Sequence, residues 1–414
     1  MPPAEGGGME IFMKLSKMQQ LILIELFLFI LLLGAYTGHH TKDASDILST
    51  SSNEVYRLIS EEENISSNSE NKNYIKWVDF KVTKEAMQDA YEYDVTTYGQ
   101  ETHLDWISLL AYQACKNGGD FSHYRSGDIS LIARKLLAKE TTLESLTKDL
   151  KYYTYYYQAY SAVLGGLVGE YEVPAASETP SDNAVSEDDT VSSDDTASSN
   201  TTTAKKNSSA KKDSDIVWEK KYGLKGFLPL AKNFPYSDYD DFGVSRSYGY
   251  KRQHLGHDMM GQTGTPIIAV ESGYVEAIGW NQYGGWRLGI RSFDGKRYYY
   301  YAHLRQNFPY CKSLTEGSVV TAGDVIGYLG HTGYSTKENV NNIDIPHLHF
   351  GLQLIFDESQ KEGTNEIWVS CYELTRFLYQ NQSETVKDEN TKEWHRIIEM
   401  RDPAVKEWKK AHKN

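Results

Sequence analysis

The sequence predicts a multidomain chain. A single membrane-spanning helix leads to a small α-helical domain. A disordered linker then joins it to a mainly antiparallel β domain with a helical C-terminal extension. Three observations predict this: an apolar run at residues 21–36, a loss of core-forming residues over 174–215, and glycine-punctuated β-type runs from 216 onward. With 414 residues and a prior of about 150 residues per domain, two or three domains are expected.

The run LILIELFLFILLLGAY is interrupted only by Glu25. It is a little short of the ~20 residues that cross a bilayer, and Met18 and Thr37–Gly38 extend it. Lys14 and Lys17 precede it, so the positive-inside rule places the N-terminus in the cytoplasm and the remainder outside. A signal anchor over 1–37 is the expectation. A cleaved signal peptide is the competing reading, although no A-x-A site follows the run. Residues 38–72 are polar and rich in Ser, Asn and Glu, as in a stalk.

Over 73–173, LDWISLLAYQA and ISLIARKLLAKE carry apolar residues at helical spacing. Thr141 followed by Glu144 suggests a capping-box start for the next helix. The run KYYTYYYQAY supplies part of a total of 31 tyrosines and is read as packing between helices, with hydroxyls at the surface. Residues 174–215 hold no aromatics and almost no aliphatics. They read as a flexible linker that permits large movement between the domains it joins.

From 216 to 363, runs such as GTPIIAVESGYVEAIGW, WRLGIRSF and KRYYYYAHL alternate with glycine turns, an all-β signature. Asp294–Gly295 between two such runs marks a hairpin. Residues 364–414 read as helical again, in WVSCYELTRFLYQ and then TKEWHRIIEM.

A net charge of −14 argues against general nucleic-acid binding. Cys115, Cys311 and Cys371 are the three cysteines. They are too few for a disulfide framework and lack the spacing of a structural zinc site, and the sequence does not decide their pairing.

Three islands carry metal chemistry: His254-Leu255-Gly256-His257-Asp258, Tyr301-Ala302-His303-Leu304 and His347-Leu348-His349-Phe350. On a strand, residues i and i+2 share a face, so both imidazoles of HLHF point one way and Leu348 and Phe350 the other. Gly256 argues against a helix at the first island, which leaves His254 and Asp258 on one face of an extended segment. One further imidazole completes a His2Asp set, suited to zinc with an open position for water. His257 and His331 read as surface or packing residues.

These blocks in this order resemble the M23 family of zinc metallopeptidases, the lysostaphin and LytM-like group. The likeness runs from about Gly243 to Leu354 and includes YYAHL and EGSVVTAGDVIGYLGHTGYS. It implies one zinc held by His254, Asp258 and His349, with His303 and His347 as the catalytic histidines. It also implies an antiparallel β groove that cuts peptides of peptidoglycan. One departure stands out: Ser335 is followed by TKENVNNIDIP before His347, longer than the family's usual run, and it is expected to reshape one groove wall.

The expected function is therefore a membrane-anchored zinc endopeptidase with its catalytic domain outside a bacterial cell membrane, acting on peptidoglycan peptides and not on nucleic acid. The alternative is a catalytically silent anchored scaffold or wall-binding protein of a sporulation or division complex. Oligomeric state is not legible in the sequence.

Overall fold

The computed structural model describes residues 74–175, 216–247, 251–361 and 365–412. The expected anchor, stalk and linker lie outside the described residues. Among those that are described, no helix is long and apolar enough to cross a membrane.

Among the described residues, five helices come first. Helix α1 (Lys84–Thr97) starts at Thr83, whose side chain accepts from the Ala86 amide. Helix α2 (Trp106–Asn117) is capped by Asp105 and stops at Gly118, at φ 66°. Each cap satisfies an amide that the first turn leaves orphaned. Helix α3 spans Asp128–Leu137. Helix α4 spans Leu143–Thr147 and is capped by Thr142, one residue later than the expected Thr141. Helix α5 (Tyr153–Leu164) carries the tyrosine run. Its Tyr160 is fully buried and meets Phe80 edge-on at 5.5 Å, while Tyr153 and Tyr157 stack at 6.1 Å. Packing, as expected, involves this cluster, but the Tyr160 hydroxyl is buried and does not reach the surface.

The chain then enters β1 (Val168–Pro174), which pairs antiparallel with β2 (Trp218–Leu224) so that Pro174 faces Trp218. The linker therefore leaves and returns at one ribbon end. It does not separate two freely moving bodies. Residues from Tyr74 onward form one compact unit, and a single hydrophobic cluster runs from Leu109 and Tyr160 through Leu224 to Met259, Tyr299 and Phe377. What the composition of 174–215 does not reveal is that the helices bury their apolar faces against the sheet.

The following strands are β3 (Tyr236–Ser237), β4 (Ser245–Ser247), β5 (Lys251–Gln253), β6 (His257–Gly261), β7 (Pro266–Ile268), β8 (Gly273–Asn281), β9 (Gly285–Ser292), β10 (Arg297–Ala302), β11 (Val319–Val320), β12 (Val325–Tyr328), β13 (His347–Leu354) and β14 (Ile367–Val369). The main sheet has the order β11-β8-β9-β10-β13-β6-β3, with β14 also on β13. Every pair is antiparallel. Asp294–Gly295 turns β9 into β10 as expected, with Gly295 at φ 73°.

The C-terminal region departs from the helical expectation. Ile367–Val369 joins the sheet, and TKEWHRIIEM contributes a strand. Strands β15 (Thr385–Lys387) and β16 (Trp394–Arg396) form a hairpin. Among the described residues of this region, only α6 (Tyr372–Leu378) and α7 (Pro403–Ala411) are helices. Tertiary contacts override the local pattern: Trp394 packs edge-on to Phe234 at 5.3 Å, and Arg396 Nη1 donates to the Ala322 carbonyl at 2.8 Å.

Candidate metal centre

The central strand β13 carries the third island. Its Leu348 and Phe350 are fully buried, so His347 and His349 point to the opposite, groove-facing side. Register places His349 across from Asp258 on β6 and from Ala302 at the end of β10. Three sequence-distant islands thus meet because neighbouring strands carry them.

His254 stands in the short turn between β5 and β6. Its Nε2 lies 3.0 Å from Asp258 Oδ1 and 2.9 Å from His349 Nδ1, and His349 Nδ1 lies 2.9 Å from the same Asp258 oxygen. Among the described residues, this is the group of His, Cys, Asp or Glu side chains able to hold a metal ion. Three atoms converge on one point, and pairwise hydrogen bonds cannot satisfy them all. A cation can. The donor set, two imidazole nitrogens and one carboxylate oxygen with no thiolate, fits zinc with an open position.

The surroundings fix each ligand. His254 Nδ1 is 3.0 Å from the Asp241 carbonyl oxygen, which only accepts. The hydrogen therefore sits on Nδ1, and Nε2 is available to the site. Gly256 makes room for His349: a Cβ there would lie 2.5 Å from both Cε1 and Nε2 of that ring. The second oxygen of Asp258 pairs with Arg246 Nη1 at 2.8 Å, and Arg246 Nη2 meets Asp241 at 2.7 Å.

The local field is that of a cation site. Burial opposes charge on His254, but the carboxylates of Asp241 and Asp258 outweigh it and push its pKa up to about 9. Burial likewise pushes Asp258 up, yet His254 and His349 hold it far below the usual carboxylate range. For His349, burial dominates and keeps the ring neutral, with Asp258 as a partial offset. Binding a divalent cation displaces protons from such a set.

His303 and His347 flank the triad, with ring centroids 4.8 Å apart. His303 follows β10 in a left-handed conformation, φ 62°; such conformations persist where surrounding contacts enforce them. Its Nδ1 is 2.9 Å from the Thr332 carbonyl oxygen, so Nε2 is the nitrogen turned to the groove. Burial first, then the neighbouring His347 and His349, lower its pKa well below the ordinary value. His347 Nδ1 lies 2.8 Å from the Ile345 carbonyl oxygen, which sets the same tautomer. His347 Nε2 is 3.7 Å from Asp258 Oδ2.

All five expected site residues therefore lie in one place. His257 and His331 are held elsewhere, His257 Nε2 against Asp238 at 2.9 Å and His331 Nδ1 against the Ile343 carbonyl at 2.7 Å. Sequence reasoning missed Asp241 and Arg246. They precede the first island by loop spacings that carry no periodic signal, and only the fold shows them behind the ligands.

A sheet-borne His–Asp–His group with two further histidines beside it is the donor set of a metal centre. Residues 252–362, about a quarter of the chain, match Peptidase family M23. It is 37% identical over 155 residues to the L-Ala–D-Glu endopeptidase of Bacillus subtilis (strain 168), covering 37% of this chain and 45% of that one. It is 37% identical over 98 residues to the glycyl-glycine endopeptidase ALE-1 of Staphylococcus capitis, covering 23% and 24%. The catalytic domain of the antimicrobial peptidase lysostaphin from Staphylococcus simulans aligns at 31% identity and a TM-score of 0.25, covering 31% of this chain and 84% of that one. The chain thus spans less than half the length of the two curated relatives.

Proposed function

We propose that this chain is a zinc endopeptidase that hydrolyses peptide bonds in peptidoglycan, with His254, Asp258 and His349 as the metal ligands. The observation that carries this reading is the convergence of their three ligand atoms within 3.0 Å of one another beside His303 and His347. The match of residues 252–362 to Peptidase family M23 and the similarity to an L-Ala–D-Glu endopeptidase and a glycyl-glycine endopeptidase support this substrate class.

Bound zinc supplies a Lewis acid for the scissile carbonyl and acidifies a water. The chain's own groups handle protons and orientation. His303 is neutral by virtue of its burial, and its Nε2 is placed to accept a proton from the attacking water. His347, when protonated on Nε2 as well as Nδ1, would donate a hydrogen bond to the developing oxyanion and pass that proton to the leaving amine, and the proton taken up by His303 would restore it. Asp241 and Arg246 hold the ligands. The apolar run at 21–36, with Lys14 and Lys17 before it, supports a single-pass anchor with the catalytic unit outside the bacterial membrane.

The test is release of soluble peptides from purified peptidoglycan by the full chain. Release should stop with a chelator and return with added zinc. Release that is indifferent to chelator rejects the metal mechanism, and no release under any condition rejects the function.

A further inference from the structure

The groove floor continues from the metal centre onto a strand that lies beyond the residues matching the family. On β13 the groove-facing positions run His349, Gly351 and Gln353, and β14 places Trp368 opposite Gln353. Ile367 and Val369 are buried in the core, so alternation turns Trp368 to the groove side. Its indole covers Gly351. A Cβ there would lie 2.8 Å from Cζ3 of Trp368 and 3.4 Å from the carbonyl oxygen of Leu255, in the turn that carries His254.

Tyr300 joins this ring to the metal site. It faces Gly351 across the β10–β13 pair. Its own ring stands edge-on to His349 at 6.0 Å and to Trp368 at 6.1 Å. Trp368 is therefore at most about 12 Å from the ligand ring, a reach of about four extended residues.

Glu366 stands just before β14 and is exposed. Its Oε2 accepts from Trp368 Nε1 at 2.7 Å, which uses one of about four acceptor positions on a carboxylate. The bond holds a negative charge at the edge of an indole whose face also attracts cations. An apolar guest would bury that carboxylate without a partner, at a cost, and an anion would meet like charge. A primary ammonium suits both groups: its N–H donors reach the carboxylate and its charge meets the ring.

We propose that Glu366 and Trp368 form a subsite for the primary ammonium of a diamino residue in the substrate peptide, within about four residues of the scissile bond. This rests on the reading of the site as a wall-peptide endopeptidase and deepens it. The residues that select the substrate then come from the strand after the matched segment, while the metal ligands come from within it.

The full zinc-loaded chain is assayed on purified peptidoglycan whose stems carry free diamino ammonium groups, and on the same material after N-acetylation. Initial peptide release at low substrate, a measure of kcat/KM, should be about tenfold faster on the unblocked wall. The advantage should narrow at high substrate, as for an interaction made equally before and in the transition state. Glu366→Gln and Trp368→Leu should each reduce it to about threefold or less, and Trp368→Phe, which keeps an aromatic face, should retain more of it than Trp368→Leu. Glu389→Gln removes the same charge from the β15–β16 turn and should leave the ratio at its wild-type value, which separates a local subsite from the chain's overall charge of −14. Zinc per chain in Glu366→Gln should match wild type. Equal release from the two walls, faster release from the acetylated wall, an unchanged ratio in Glu366→Gln, or an equal fall in Glu389→Gln overturns the inference and leaves the endopeptidase reading intact. Zinc loss in Glu366→Gln also overturns it, and no release from either wall overturns both.

Discussion

Two buried charged clusters lie in the same sheet, and they are built on opposite principles. One surrounds Arg297, which is almost fully buried. Its guanidinium donates to Glu271 at 2.7 and 3.1 Å, to Asp294 at 2.9 Å and to the carbonyls of Ser161 and Ala162 at 3.2 and 3.1 Å. Tyr299 adds a further bond to Glu271 at 2.8 Å. Donors and acceptors are matched, and the cluster ties the end of α5 to the strands. The other is the His254–Asp258–His349 triad, where three donor atoms crowd one point that protein hydrogen bonds cannot fill. Burial is common to both. What separates a bolt from a reactive site is whether the polar atoms find all their partners within the protein.

The sharpest way to break this contrast is to change chemistry without changing metal. His303 is assigned to proton handling, so His303→Ala should keep its zinc and lose hydrolysis by on the order of 10²–10⁴. Loss of zinc together with activity would move His303 into the ligand set, and unchanged turnover would remove it from the mechanism.

The converse experiment disturbs the bolt. Arg297→Leu leaves Glu271 and Asp294 without their cation and frees two carbonyls at the end of α5. Breaking a buried pair this way costs about 3–5 kcal/mol, to be read as a lowered midpoint in urea. Zinc bound per folded chain should not change. A stability equal to wild type would contradict the role given to Arg297, and metal loss in the folded protein would contradict the separation of the two clusters.

A smaller effect is expected at Gly256. A methyl group there would lie 2.5 Å from the His349 ring and 3.0 Å from the Phe350 carbonyl oxygen, so the ligand must shift. Gly256→Ala should weaken zinc binding by on the order of tenfold, the scale of altered ligand support, as measured by competition with a chromogenic chelator. Unchanged affinity would show that His349 tolerates the displacement.

Much of the site was legible because it is written in strand periodicity. HLHF announces its two faces in four residues, and the glycine at 256 argues against a helix between His254 and Asp258. The β character of 216–363 and the Asp294–Gly295 hairpin follow from local turn chemistry, which tertiary context did not disturb. Joining of the helical region to the sheet was not legible. It depends on Arg297 reaching the end of α5 and on β1 meeting β2 across the long linker, and neither contact leaves a periodic trace. The C-terminal hairpin was misread for a related reason: WHR forms a strand because Trp394 and Arg396 have partners on Phe234 and Ala322, far away in sequence. Asp241 and Arg246 escaped notice because residues that support ligands have no fixed spacing from them.

The central claim is that His254, Asp258 and His349 form one open metal site, and metal analysis of purified protein tests it most directly. The wild-type chain should carry about one zinc, while Asp258→Ala, left with two donors, should carry almost none and retain its circular dichroism. Full zinc occupancy in Asp258→Ala, or none in a folded, zinc-supplemented wild type, would contradict the account.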